Sequence, residues 1–311
     1  MITPNLFKKI LRITSPFLAL LNPKIRLILA KLIIYPKGAR TLFDPNSIRH
    51  FSHLREKGSF KKVKLQGGIE LTVDLNDIIG FRTALNNKWD STSLNLVKKI
   101  FSKDLIFIDI GANIGATCIP IAGLKLQIIA IEANLNTAQI LFKNILDNQI
   151  KQFIVFPLAL GANEQDGKFM DISIPVGNIS SSSLVQDWSH GSDPVKKQST
   201  YVTTLDRILN SLSFMVTKRN IVIKIDVEGF EAAVINGSVL TIKKHRPIII
   251  FENNPIVNED SARFLTMFNE IFLEYNIYEL TENTSLLDYN PNIRYENAVL
   301  IPNEKLNLFE I

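Results

Sequence analysis

The sequence predicts an α/β fold, a mostly parallel sheet with helices on both faces, carrying a helical extension at its N-terminus. Three observations predict it. From Leu105 to Phe156, short β-branched runs alternate with amphipathic segments, the rhythm of βαβ units. Two apolar runs, Phe107-Ile-Asp-Ile-Gly-Ala-Asn-Ile-Gly115 and Ile221-Val-Ile-Lys-Ile-Asp-Val-Glu-Gly-Phe-Glu231, stop at an aspartate and then turn through glycine. A buried parallel strand ends in this way where its carboxyl edge borders a ligand crevice. At 311 residues the chain also has room for one sizeable α/β domain with an extension.

The elements follow in order. Residues 1–43 read as two short helical segments, about Leu6–Leu21 and Lys24–Tyr35, interrupted by Pro16 and Pro23. Residues 44–100 form a pre-core region: alternation over Lys61–Leu75 around Gly67-Gly68 predicts a hairpin, Asp77–Asp90 an irregular cap, and Ser91 or Ser93 a helix start. The core, residues 101–311, begins with a strand at Leu105–Ile108 and a helix at Ala116–Leu124. A strand at Gln127–Ile131, a helix at Leu135–Asn148 and a strand at Phe153–Phe156 come next. Gly161–Thr203 breaks the rhythm, with Gly167–Ile174 strand-like and Ser180–Ser183 loop-like, as expected of a hairpin or an active-site insert. Strands resume at Ile221–Ile225 and Pro247–Phe251, with one helix over about Phe230–Lys244 between them. Ser261–Tyr275 is the last long helix, and Asn276–Leu280 pairs with Ala298–Ile301 to close the sheet.

Charge is uneven. Residues 1–43 hold eight basic residues and no acidic one, so the rest of the chain sums to −3 out of a net +5. The basic pI therefore describes the extension, and nothing in the body points to a nucleic-acid partner. No uncharged stretch approaches the ~20 residues needed to span a bilayer, and prolines and charges break any secretory signal core. The extension either packs on the body or rests on a membrane surface through residues 1–40; both readings stay open. The single cysteine, Cys118, cannot form an intramolecular disulfide and reads as a small buried residue, in keeping with a cytoplasmic protein.

In the loop Asp109-Ile-Gly-Ala-Asn-Ile-Gly115, Gly111 and Gly115 remove the β-carbon where the chain must turn close to a ligand. Asn113 stands where the middle glycine of a dinucleotide loop belongs, which disfavours NAD and FAD but suits a nucleoside without phosphates, such as S-adenosylmethionine. Asp109 would hold either the loop's own amides or the ligand's amino-acid end. Glu132 ends the second core strand seventeen residues after Gly115, where an acid can accept from ribose hydroxyls. In Lys224-Ile-Asp-Val-Glu-Gly-Phe-Glu231, Lys224, Asp226 and Glu228 share one side if the chain stays extended. Lys224 and Asp226 then form an internal ion pair, or a carboxylate with a desolvated, raised pKa orients or deprotonates an acceptor hydroxyl. Glu252 ends the neighbouring strand on the same rim. Rim carboxylates are common without a metal, and no metal is assigned. The four histidines show no ligand spacing; His190, beside Trp188 and the serine run, is the one to test.

Together with Ile131-Glu-Ala-Asn134, Thr203-Thr-Leu-Asp206 and Arg246-Pro-Ile-Ile-Ile-Phe-Glu252, these motifs resemble the FkbM-type methyltransferases in order and spacing, over about residues 74–302. The resemblance implies a class I, Rossmann-like methyltransferase fold and S-adenosylmethionine-dependent O-methylation of carbohydrate or natural-product hydroxyls. Carried over by position, Gly111, Asn113 and Gly115 contact the methionine end of the cofactor, with Ala112 and Ala133 counted among the cofactor-binding residues. Glu132 contacts the ribose, and Ala159 and Leu160 lie near the adenine. Asp226 and then Glu228 are the candidate catalytic bases. Two departures stand out: Glu132-Ala133 replaces the family's usual Glu-Pro, and Trp89-Asp90 its frequent Tyr-Glu. The expected partner is a small-molecule or glycan acceptor, with no nucleic acid. The alternative is a membrane-peripheral binding protein that keeps the fold without turnover.

Overall fold

Apolar, β-branched runs set the strands of this protein, whose computed structural model describes residues 17–32, 59–65, 67–175, 179–185, 195–253, 271–290 and 295–309. Strands β1 (Phe60–Lys64) and β2 (Glu70–Asp74) form the expected antiparallel hairpin, with Val63 opposite Leu71. The core strands are β3 (Leu105–Ile110), β4 (Gln127–Ile131) and β5 (Phe153–Phe156). After β6 (Ala159–Leu160), the insert contributes β7 (Phe169–Pro175) and β8 (Val195–Thr203). The second half adds β9 (Asn220–Ile225), β10 (Ile248–Asn253), β11 (Tyr275–Leu280), β12 (Leu286–Asp288) and β13 (Tyr295–Pro302).

The chain divides into two compact units, residues 1–89, 173–182 and 186–198 in one and residues 90–172, 183–185 and 199–311 in the other. In the first, the helix Pro23–Leu32 packs on the helix Ile78–Asn86 through Pro23, Arg26, Leu27 and Ala30, one face at helical spacing. Asn76 accepts from the buried Arg26 guanidinium at 2.9 Å. The helix Ile78–Asn86 replaces the irregular cap expected over Asp77–Asp90. Asp77 caps it by accepting from the Ile79 and Gly80 amides, and its other oxygen accepts from the Ser180 amide at 2.9 Å. A β-carbon at Gly80 would lie 2.0 Å from the Asp74 carbonyl oxygen, so only glycine lets this helix close on β2.

The second unit holds an eight-stranded sheet in the order β12-β11-β13-β10-β9-β3-β4-β5. From β10 to β5 neighbouring strands are parallel, while β13 runs antiparallel to both β10 and β11. All six residues of β3 are buried, as expected of a central parallel strand covered by helices on both faces. On one face Ile106, Ile108, Ile110, Ile223 and Ile225 pack against Leu205, Leu209, Val234 and Ile242 of the following helices. Because the chain runs from β3 toward β4 and β5 on one side and reaches β9 and β10 on the other, the order reverses at β3. In such sheets a crevice opens at the carboxyl ends of the strands beside that reversal. The expected closing pair is present, with Asn276 opposite Ile301 and Glu279 opposite Ala298.

Three expectations need correcting. The helix after the glycine loop is the short Cys118–Ala122, because the chain is still turning through Gly115 and Thr117. The single helix expected over Phe230–Lys244 is two, Glu231–Asn236 and Val239–His245, broken at Gly237. A β-carbon there would lie 2.0 Å from the Gly161 carbonyl oxygen, so the break seats β6's end against the helices. The insert's strands join a separate three-stranded sheet, β6-β8-β7, in which β8 was not expected. The last expected helix, Ser261–Tyr275, falls mostly outside the described residues, and Tyr275 itself opens β11. The segments of the extension before residue 17 and after residue 32 lie outside them as well.

Candidate active site

Two strand ends meet at the carboxyl edge of the sheet. The Asp226 amide donates to the Ile110 carbonyl at 2.9 Å, and a β-carbon at Gly111 would lie 1.9 Å from the Asp226 carbonyl oxygen. Gly111 has φ +83°, so a side chain there is excluded both by conformation and by space. The Gly111 and Ala112 amides donate to the Ile131 carbonyl, which ties the glycine loop to β4. Asn113 takes a left-handed conformation, φ 50°, and its side-chain oxygen accepts from the Ile114 amide at 2.7 Å. Asparagine is among the few side chains suited to that turn. A β-carbon at Gly115, φ +84°, would press on the Ile119 and Leu141 side chains.

Glu132 is buried and secures this loop. One carboxylate oxygen accepts from the Asn113 amide at 2.7 Å; the other accepts from the Asn134 amide at 2.8 Å and the Thr137 hydroxyl at 3.1 Å. Burial raises its pKa, and these three donors oppose that rise. Ala133 follows it, partly exposed.

Asp109 differs sharply from Glu132. It is 1% exposed, yet no N–H or O–H group donates to either carboxylate oxygen, and only the weakly donating Cys118 thiol lies beside it. It therefore does not hold the loop's own amides. Burial pushes its carboxyl up to about 6, against the pull of the Lys224 charge and the neighbouring Cys118 thiol. Asp109 and Lys224 are partners across the parallel β3–β9 pair, which puts both on the same side of the sheet. Lys224 donates to Asp226 at 2.7 Å, the internal ion pair of the sequence reading. Burial pulls the Lys224 pKa down, but Asp226, Asp90 and Asp109 outweigh it and hold the ammonium charged. Asp90 also caps the helix Ser91–Lys99, accepting from the Ser93 amide and from the Thr117 hydroxyl.

The shared parity of Asp226 and Glu228 ends at Asp226, because Glu228 has φ 52° and Gly229 φ 99°. The chain curls instead of staying extended. With its side chain 39% exposed and bonded to Lys224, Asp226 is not the strongly desolvated carboxylate the sequence suggests. That environment belongs to Asp109 and to Glu231, a residue given no role from sequence. Glu231 is 4% exposed, and one of its oxygens accepts from both the Val227 and Gly229 amides at 3.2 Å. Its other oxygen has no partner, and burial pushes its carboxyl up to about 7 against the donors. The Glu228 carbonyl accepts from the buried Ser183 hydroxyl at 2.8 Å, so Ser183 braces this turn. A left-handed glutamate costs about 1–3 kcal/mol, and it is held here from both sides. The only sequence sign of Glu231's part was its position at the end of the motif.

Ala159 and Leu160 are buried in β6, paired with Val202 and Thr203 of β8. One residue on, a β-carbon at Gly161 would lie 3.4 Å from the Phe230 ring, which brings this segment beside the motif turn. Other motif residues support the frame. Thr204 caps the helix Leu205–Ser211, and Asp206 accepts from the Leu240 and Thr241 amides at the start of the helix Val239–His245. Arg246 bonds Glu304 and the Leu273 carbonyl and lies over the Tyr275 ring. Cys118 is buried, as expected. Among the described residues no three His, Cys, Asp or Glu side chains are grouped to hold a metal ion.

A family model, the methyltransferase FkbM domain, matches residues 109–279, more than half of the chain. No curated protein matches it. Among solved structures, an FkbM methyltransferase from Methylobacillus flagellatus is 15% identical, with 89% of this chain and 58% of that one covered and a TM-score of 0.42. The chain thus spans less than two thirds of that protein's length. An S-adenosylmethionine-dependent methyltransferase from Agrobacterium tumefaciens is 6% identical, covering 80% and 72%, with a TM-score of 0.43. A Pyrococcus abyssi tRNA (uracil-54, C5)-methyltransferase, solved with S-adenosylhomocysteine, is 12% identical, covering 78% and 43%, with a TM-score of 0.37. The family match opens on Asp109 and takes in Glu132, Asp226, Glu228 and Glu231, the residues gathered at this strand edge, and the chain belongs to the FkbM methyltransferase family.

Proposed function

We propose that this protein transfers a methyl group from S-adenosylmethionine to a hydroxyl oxygen of a carbohydrate, a glycolipid or a natural product. The observation that carries the cofactor assignment is Asp109: a carboxylate 1% exposed, with no N–H or O–H group donating to either oxygen, at the base of a glycine loop. Leaving such a group buried is costly, and the Lys224 charge offsets that cost only in part, since the carboxyl is still pushed up to about 6. The α-ammonium of S-adenosylmethionine is a cation of the right kind, and Gly111 and Gly115 let the loop turn tightly against Asp226, Ile119 and Leu141 above that carboxylate. Glu132 supports that loop through Asn113 and has a lone pair left for a ribose hydroxyl. Ala112, Ala133, Ala159 and Leu160 complete the apolar side of the site.

When bound, S-adenosylmethionine supplies a methyl group activated by its sulfonium. The chain's own residues orient the acceptor and manage its proton. Asp226, exposed at the rim and bonded through one oxygen to Lys224, has its other oxygen for an acceptor hydroxyl. It takes the proton as the oxygen becomes a nucleophile, and Lys224 steadies the carboxylate on either side of that transfer. Glu228 stands second in this role. Most of the acceleration comes from holding the acceptor in line, with a smaller share from the base.

The acceptor class rests on the family resemblance. It is tested by incubating the protein with methyl-labelled S-adenosylmethionine and separate panels of oligosaccharides, glycolipids and amines. Label in a hydroxyl-bearing acceptor, lost in Asp226→Asn, supports the reading. Label only in amines, or no transfer with cofactor bound, contradicts it and favours a binding protein without turnover.

A further inference from the structure

The helix Pro23–Leu32 has two faces. Pro23, Arg26, Leu27 and Ala30 are buried, and the helix packs on Ile78–Asn86, so its orientation is fixed. Its outward face is not polar. Ile25, Ile28 and Leu32 follow helical spacing and are 47%, 57% and 70% exposed. The preceding helical turn adds Phe17 and Leu20, at 71% and 64%. Lys24 and Lys31 are exposed among them.

The exposed charged side chains of residues 17–32, Lys24 and Lys31, are both basic. The hairpin adds Lys61, Lys62 and Lys64, all exposed on β1. Burial and the nearby Lys61 charge both lower the Lys31 ammonium's pKa, so two like charges stand close together beside exposed apolar side chains. A soluble partner would have to cover the apolar face and neutralise the lysines as well. A bilayer with anionic headgroups does both at once: the apolar side chains enter the acyl boundary while lysines meet the headgroups. Among the described residues no helix is long and apolar enough to cross a membrane, so the contact is peripheral.

We propose that the outward face of residues 17–32, with Lys24, Lys31 and Lys61 around it, docks the protein on an anionic membrane surface. This stands apart from the methyl-transfer reading. It is tested by sedimenting the full chain with vesicles of phosphatidylcholine alone and of phosphatidylcholine mixed with phosphatidylglycerol. The expected result is partitioning at least about tenfold stronger onto the anionic vesicles, weakened by high salt. Ile25→Asp with Ile28→Asp should abolish it, and Lys24→Glu with Lys31→Glu should bring it down to the neutral-vesicle level. All four positions are exposed, and an unchanged melting temperature checks that the variants fold. Failure of the folded wild type to bind anionic vesicles overturns the proposal. So does equal binding to neutral vesicles, or binding indifferent to both pairs of substitutions. Self-association in solution that Ile25→Asp with Ile28→Asp removes, without vesicle binding, would make this face a contact between copies and overturn it too.

Discussion

Asp109 and Lys224 face each other across the parallel β3–β9 pair, yet the lysine donates its hydrogen bond to Asp226, 2.7 Å away. One buried ammonium thus serves two aspartates, and no N–H or O–H group donates to the deeper of them. An enzyme that binds a cationic ligand gains from such a site, because the ligand completes it; the folded chain alone is less stable for it.

The first prediction is that Asp109→Asn stabilises the protein at neutral pH while weakening S-adenosylmethionine binding. The folded-state pKa of about 6 lies above the ordinary carboxylate value. The native state therefore holds the proton more tightly than the unfolded chain, and this residue's contribution falls as pH rises from about 4 through 6. Above that window the full cost of the buried charge is present, and the amide removes it. Thermal or urea unfolding at pH 7 should show the Asp109→Asn variant more stable than the wild type by on the order of 1–3 kcal/mol, with no difference below about pH 4. Equal stability across the whole range would contradict this account of Asp109.

The same carboxyl sets a pH dependence on binding. Affinity for S-adenosylmethionine should rise between pH 5 and 7, turning near the pKa of about 6, as Asp109 ionises. Calorimetry across pH should show that step in the wild type and none in Asp109→Asn.

Glu132→Ala takes from the Asn113 and Asn134 amides the acceptor Glu132 gives them, while the Thr137 hydroxyl keeps the Asn134 carbonyl. Losing a buried charged acceptor of this kind should cost about 3 kcal/mol in urea unfolding and free the glycine loop. Cofactor affinity should then fall by more than about tenfold, even though part of the loss comes through the loop and not through a ribose contact.

Much of this was legible in sequence, and the failures have physical causes. The strand ends at Asp109, Glu132 and Asp226 follow from apolar runs that stop at an acid, and the core rhythm follows from period. The helix Ile78–Asn86 was missed because Gly80 weakens its local pattern, and the reason for that glycine, the Asp74 carbonyl 2.0 Å from its would-be β-carbon, is tertiary. Gly237 splits a helix for a similar reason, the approach of the Gly161 carbonyl. Glu228 was placed by strand parity because nothing local marks a glutamate for φ 52°. Glu231 could be quoted in a motif, but its carboxylate folding back onto two amides is visible only in three dimensions.

That fold-back gives the next prediction. Ionised Glu231 holds the Val227 and Gly229 amides; protonation below its pKa of about 7 weakens the acceptor. Hydrogen exchange over residues 226–230, corrected for intrinsic rates, should speed up as pH falls through 7 in the wild type. In Glu231→Gln it should be fast and independent of pH. Ser183→Ala, which removes the donor to the Glu228 carbonyl, should loosen the same segment. Unchanged protection in both variants would remove the clamp from the account.

The measurement that bears most directly on the central claim is a calorimetric titration of the purified chain with S-adenosylmethionine and S-adenosylhomocysteine, repeated with Asp109→Asn and Glu132→Ala. The wild type should show one site per chain with micromolar affinity, reduced at least about tenfold in each variant while both remain folded. No binding of either nucleoside to folded wild-type protein, or equal binding by all three proteins, would contradict the assignment of this strand edge as the cofactor site.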